Sequence, residues 1–296
     1  MFSANNDIFD PETLQKCESL YPSVEDDLSD APSAMCEGID IDHINHKVSY
    51  NAKHQDNVDT SLETNPTVDT GFIPGVTVWS IFTRNKVDDS DGNPLIYALK
   101  GEHKWKFRSE WDRKAILQQF NLIVDKFLAE HSYDVTVIAP TSNPLNKFIV
   151  DTITSKKPDI QYIEGVLLKL STDDIRAQIN EMDSKFKKVY RDDFLSARAI
   201  LYTYLAKMDK DKNGVFTRHL IDNAKMRDTV DMTLKNNDDL ITDNATKITD
   251  HDVLIVDDTI SRGQTIKEAV NVIKSCYAPK SITVLTLFSK LSSAPR

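Results

Sequence analysis

The chain has 296 residues, a formal net charge of −10 and only three cysteines, Cys17, Cys36 and Cys276, a length that allows one large domain or two small ones. The odd, widely spaced cysteines exclude a disulfide framework and offer no zinc spacing. No apolar run reaches the ~20 residues of a membrane helix and no basic-then-apolar leader opens the sequence, so a cytoplasmic protein with no membrane partner is expected.

The charge is uneven: residues 1–70 carry −12, which leaves +2 for residues 71–296. Neither part has the basic excess of a general nucleic-acid binder. Residues 1–70 are rich in Asp, Asn, Ser and Pro, with apolar residues scattered without period. They read as an acidic arm, mostly disordered because it buries too little surface to offset its ordering entropy. Order is expected from about Phe72, giving one domain over 71–296.

"GVTVWSIFTRNKVDDSDGNPLIYALKG" places two β-rich runs around a turn-forming centre, which predicts a hairpin. Ser109 with Asp112 three residues on resembles a capping box, and Ile116, Phe120, Ile123 and Phe127 continue it as one apolar helix face. "YDVTVIAP" reads as a strand, Leu145 to Ile153 as a helix, and "YIEGVLLKL" as a second buried strand. From Ser171 to Met208 two amphipathic helices are expected, joined by the basic link "KFKKVYR", in a helical insertion spanning about 171–215. A further helix is predicted near 217–230, a polar stretch to Asp250, then strand, helix (Gln264 to Cys276) and the last strand "SITVLTLF". Alternating strands and helices imply an α/β fold, a parallel sheet with helices on both faces.

"VLIVDDTISRGQTI" carries the chemistry. Asp257 and Asp258 stand at the carboxyl end of a buried strand, where parallel sheets bind ligands. Ser261, Arg262, Gly263, Gln264 and Thr265 then open a helix, offering hydroxyls, backbone N–H groups and a glycine's close approach to an anion. Carboxylates for hydroxyls beside a cradle for phosphate suit a sugar phosphate.

This segment resembles the phosphoribosyl-diphosphate (PRPP) signature of type I phosphoribosyltransferases, and the wider chain order is most similar to their ComF-like branch. The resemblance implies the type I phosphoribosyltransferase core with an N-terminal β-rich hood. It implies that Asp257 and Asp258 hold the ribose 2′- and 3′-hydroxyls, and that Ser261, Arg262, Gly263, Gln264 and Thr265 cradle the 5′-phosphate. In "VIAPTSNPLNKFI", Thr141, Ser142 and Asn143 would stand beside pyrophosphate. Mg²⁺ would be held near Asp257 and Asp258, mainly through the ligand.

The sequence departs from the family pattern at Thr259 and Arg262, lacks an arginine-rich motif after Pro140, and has the helical hairpin where a mobile catalytic loop is usual. Lys185, Lys187, Lys188 and Arg191, or Lys225 and Arg227, could close over pyrophosphate or remain solvated. Trp79, Phe82, Tyr97 and Trp105 are the hood's candidate stacking residues. The expected activity is transfer of ribose 5-phosphate from PRPP to a nitrogenous base or amine, with release of pyrophosphate. The alternative is a PRPP- or nucleotide-sensing protein without turnover. PRPP and an acceptor are the expected partners; a homodimer, and a protein partner met through the acidic arm or the insertion, stay open. "DKDKNG", from Asp209, matches half a calcium loop, but Leu220 stands where the bidentate acid belongs, so a helix end is expected instead.

Overall fold

The computed structural model describes residues 37–86, 93–141, 144–186, 191–211, 214–216, 233–260, 263–289 and 292–293. In chain order the strands are β1 (Gly38–Asp42), β2 (Lys47–Asn51), β3 (Val58–Asp59), β4 (Thr67–Ile73), β5 (Val76–Lys86), β6 (Lys106–Phe107), β7 (Val135–Ile138), β8 (Gln161–Ile163), β9 (Leu167–Lys169), β10 (Leu234–Asn236), β11 (Asp252–Thr259), β12 (Ser281–Phe288) and β13 (Ser292–Ser293). The helices are α1 (Asn93–Lys100), α2 (Glu110–Glu130), α3 (Leu145–Lys156), α4 (Thr172–Phe186), α5 (Arg191–Asp211), α6 (Ile241–Ile248) and α7 (Gln264–Cys276). The fold is mixed α/β with a mostly parallel central sheet, and it divides into two compact units: residues 37–162, 251–260 and 281–293, and residues 163–250 and 263–280.

The first unit holds the large sheet, in the order β13-β5-β12-β11-β7-β8, with β3 and β4 also paired to β5. The pairs from β13 through β5, β12 and β11 to β7 are all parallel, whereas β3 and β4 run antiparallel to β5. Ile116, Phe120, Ile123 and Phe127 of α2 share one core with Ile149 and Ile153 of α3, Leu254 and Val256 of β11, and Leu285 and Leu287 of β12. The strand residues alternate, as a two-residue period requires. Each such side chain stabilises by about 1.5–3 kcal/mol when fully buried. The predicted start of α2 is also found: Ser109 Oγ accepts the Asp112 N–H at 3.1 Å. Asp112 in turn accepts the Tyr50 N–H at 3.0 Å, which ties the helix start to β2.

Three sequence expectations change. Residues 37–70, assigned to the acidic arm, contain β1, β2, β3 and most of β4; the expected start of order moves forward, and residues 1–36 lie outside the described residues. The charge balance hid a sparse apolar set, since Ile39, Val48, Tyr50 and Val58 all enter the main core. "NPLIYALK" is helix α1, not the second arm of a hairpin. Pro94 fits a first helical turn, and Leu95, Ile96 and Leu99 share a buried helical face, which outweighs the β preference of Ile and Tyr. "YIEGVLLKL" is two short strands, β8 and β9, broken at Gly165 with φ of 70°. The turn centre of the expected hairpin and the helix expected near 217–230 lie outside the described residues.

β1 and β2 form a hairpin whose turn is closed by Asp42, which accepts the N–H groups of Ile44 and Asn45 at 3.0 and 2.9 Å. A β-carbon on Gly38 would lie 2.4 Å from the His54 carbonyl oxygen and 2.7 Å from that of Val58, both backbone atoms. A Gly38→Ala protein is therefore expected to lose about 1–3 kcal/mol, read as an earlier urea unfolding midpoint with an unchanged slope.

In the second unit, α4 and α5 pack through Ile175, Ile179, Leu201, Leu205 and Met208 around a small core with Leu170 and Phe216. Asp209 of the calcium-like stretch is bound instead by Arg176 and Thr172 of α4. β9 pairs with β10 antiparallel, and α7 packs on β10. Glu268 of α7 is buried and accepts the N–H of Thr233 at 2.6 Å and of Leu234 at 3.1 Å.

Candidate functional site

β11 supplies the acid pair at its carboxyl end, flanked by β12 and β7, with Asp257 in register with Thr286. The Asp257 side chain is almost fully enclosed, the whole residue being 7% exposed. Its Oδ1 accepts the Asp258 N–H at 2.9 Å and the Asn146 amide at 3.3 Å. Asn146, in the first turn of α3, also donates to the Ala139 carbonyl at 3.2 Å, so one amide joins the end of β7 to the acid pair. Burial, then the charge of Asp258, push the Asp257 carboxyl up to about 7; the Asp258 N–H, the Asn146 amide and the Lys100 charge oppose that rise. A carboxyl titrating near neutrality beside a second acid is the kind of group that marks ligand sites.

Asp258 has a cation of its own. Lys100 Nζ lies 2.5 Å from Asp258 Oδ2, with side chains only 16% and 14% exposed. The end of α1 explains this placement. Gly101 takes φ of 65°, its N–H donates to the Ala98 carbonyl at 3.3 Å, and the Glu102 N–H donates to the Tyr97 carbonyl at 2.9 Å. This paired closure makes Lys100 the last residue of α1, at the helix end that favours a cation.

A second cation, Arg84, is buried where β5, β11 and β12 finish. It donates through Nε to the Ser289 carbonyl (2.8 Å), through Nη1 to Asn93 Oδ1 (2.8 Å) and through Nη2 to the Ile260 carbonyl (2.9 Å). One guanidinium thus fixes the start of α1 and the chain leaving the acid pair. The sequence alone assigns neither Arg84 nor Lys100 a role, because Ile260 and Asp258, which they meet, lie more than 150 residues away.

Thr141 lies two residues past Ala139 and is partly exposed; Ser142 and Asn143 lie outside the described residues. So do Ser261 and Arg262 of the proposed phosphate loop, and Lys187, Lys188, Lys225 and Arg227. Gly263, Gln264 and Thr265 belong to the second unit. There Gly263 has the left-handed φ of 69° at the N-cap of α7, and Gln264 Nε2 donates to Glu268 at 3.1 Å. The four hood aromatics already have ring partners: Phe82 meets Phe288, Trp79 meets Phe127 and His131, Tyr97 meets His103, and Trp105 meets His43 and His46. Phe82 is a core residue, 1% exposed, and is removed from the stacking candidates.

Among the described residues no group of three or more His, Cys, Asp and Glu side chains suits a metal ion. Two adjacent carboxylates are too few for an all-protein Mg²⁺ cage, but they fit an ion that takes most of its oxygens from a bound phosphate ligand. Also among the described residues, no helix is long and apolar enough to cross a membrane.

Residues 201–296 match the family model of the phosphoribosyl transferase domain. The match takes in the acid pair, Gly263 and α7, while Lys100, Arg84, Thr141 and Asn146 stand outside it. A search of curated proteins returned no significant match.

Proposed function

From the premise that this chain carries a phosphoribosyl transferase domain at residues 201–296, we propose that it binds PRPP and transfers its ribose 5-phosphate to a nitrogen of a base or amine. The carrying observation is the pair Asp257 and Asp258 at the carboxyl end of a central parallel strand, inside the matched segment and largely shielded from water. Adjacent carboxyls in such a place disfavour one another's charge, which a ligand offering hydroxyls relieves.

In this reading Asp257 and Asp258 accept hydrogen bonds from the ribose 2′- and 3′-hydroxyls. Ser261, Arg262, Gly263, Gln264 and Thr265 hold the 5′-phosphate, and Thr141, Ser142 and Asn143 stand beside pyrophosphate. The bond from ribose C1 to the pyrophosphate oxygen breaks with its electron pair on oxygen. The acceptor nitrogen's lone pair forms the new C1–N bond, and that nitrogen releases its proton to solvent. Positive charge on the ribose ring at the transition state is met by the negative acid pair, which orients and stabilises more than it moves protons. Mg²⁺ brought in on the ligand, near Asp257 and Asp258, would neutralise charge on the leaving pyrophosphate.

Calorimetric titration of PRPP with Mg²⁺, followed by pyrophosphate release across a panel of bases and amines, tests the proposal. Saturable binding with release for one acceptor class is the expected result. Binding without release for any acceptor would replace the transferase by a PRPP-sensing protein. A folded protein that binds no PRPP would overturn both.

A further inference from the structure

Lys100 comes from the hood helix, outside the matched family segment, yet its ammonium sits on one oxygen of the acid pair. Both ends of α1 are fixed to the region where β11 ends: Asn93 through Arg84, whose guanidinium also holds the Ile260 carbonyl, and Lys100 directly on Asp258. The ion pair engages Oδ2 of Asp258. A carboxylate has a second oxygen with its own lone pairs, so an ammonium on Oδ2 fixes the plane of the group and leaves Oδ1 free to accept from a ligand hydroxyl. Low exposure on both sides makes the contact stronger than a surface pair and less sensitive to salt.

We propose that Lys100 is a positioning residue for sugar recognition: it holds the Asp258 carboxylate in one orientation, so that the acid pair distinguishes a ribose from a 2-deoxyribose phosphate. The inference rests on the sugar-phosphate reading above. Lys100 acts through Asp258 and need not touch the ligand. Around the pair, the described groups are the Lys100 ammonium from α1, the neutral Asn146 amide from α3, and the neutral Thr286 in register on β12. Lys100 therefore supplies the positive charge that acts on both acids, and it lowers the cost of ionising Asp257 beside Asp258.

The test titrates ribose 5-phosphate and 2-deoxyribose 5-phosphate, each with Mg²⁺, into the full chain and into K100M and K100R. One well-placed hydrogen bond to a charged acceptor is worth at least about tenfold in affinity, so K100M should lose about tenfold of the preference for the ribose compound. K100R should keep the preference. An unchanged preference in K100M, with only a lower melting temperature, would overturn the proposal and reduce Lys100 to a tether for α1. If K100M fails to fold, K100Q, which keeps a donor but not the charge, gives the same comparison. If the parent binds neither sugar phosphate, the sugar-phosphate reading fails and the Lys100 role fails with it, a result seen without any variant.

Discussion

An Asp257→Asn/Asp258→Asn protein is expected to bind PRPP with Mg²⁺ at least about a hundredfold more weakly than the parent while remaining folded. Each lost hydrogen bond to a charged acceptor is worth about 1.5–3 kcal/mol, and every ~1.4 kcal/mol is tenfold in affinity. Asparagine keeps the shape of the side chain and still offers Lys100 an oxygen, so the packing around β11 should survive. Stability should respond with a definite sign. The folded Asp257 carboxyl titrates at about 7, above its ordinary range, because burial disfavours its charge. Its contribution is therefore fully present below the ordinary carboxylate range and is lost as pH rises toward about 7, by at most ~1.4 kcal/mol per pH unit. The parent's melting temperature should fall across that window, and the double variant's should fall less. Calorimetric titration reads the affinity and scanning calorimetry the pH slope; a double variant that binds like the parent would remove the acid pair from the site.

Arg84→Met is expected to carry the largest stability cost of any single change near the site. Methionine fills much of the volume, but it leaves the Ile260 and Ser289 carbonyls and the Asn93 amide oxygen without the donor that now serves all three. The Ile260 acceptor is buried and the other two are half-buried, so with about 1–3 kcal/mol for the first and about 1–1.5 kcal/mol for each of the others the loss is about 3–6 kcal/mol, or roughly 10 °C in melting temperature. Arg84→Lys should fall between, since an ammonium keeps the charge but cannot present three donors in a planar fork. Ligand affinity should drop with stability, because Ile260 immediately precedes Ser261 of the proposed phosphate loop. An Arg84→Met protein with the parent's melting temperature would show that solvent replaces the guanidinium at no cost.

Some of this was legible from residues alone. The four-three-four spacing of Ile116, Phe120, Ile123 and Phe127 carries its own period, and a period is a local property of the chain. So is the run Val253 to Val256 before two acids, which needs no knowledge of its neighbours to read as a buried parallel strand. The strands between 38 and 73 were hidden because acidity averaged over a long window says nothing of Ile39 or Val48 each burying one side of a short hairpin. "NPLIYALK" was ambiguous because eight residues satisfy both helix and strand preferences, and the core that decides between them is built from α2, β11 and β12. Lys100 and Arg84 were out of reach for a different reason. A charged side chain in a sequence looks solvated until the fold brings an acceptor to it: that of Lys100 arrives from β11, and two of Arg84's three from the residues just past β11 and β12, at the far end of the chain.

The position of β12 sets the order in which this protein can be assembled during synthesis. β12 lies between β5 and β11, yet it follows both in the chain. While the ribosome is still making residues before 281, β5 and β11 each wait with an open edge, unable to join into one sheet. Open edges invite pairing with other chains. The acid pair is therefore translated before the strand that completes its setting, with some twenty residues still to emerge, or seconds at about 5–20 residues per second. A nascent chain stalled in that interval would expose an unfinished sheet, so chaperone demand should concentrate there and fall sharply once Ser281–Phe288 has emerged.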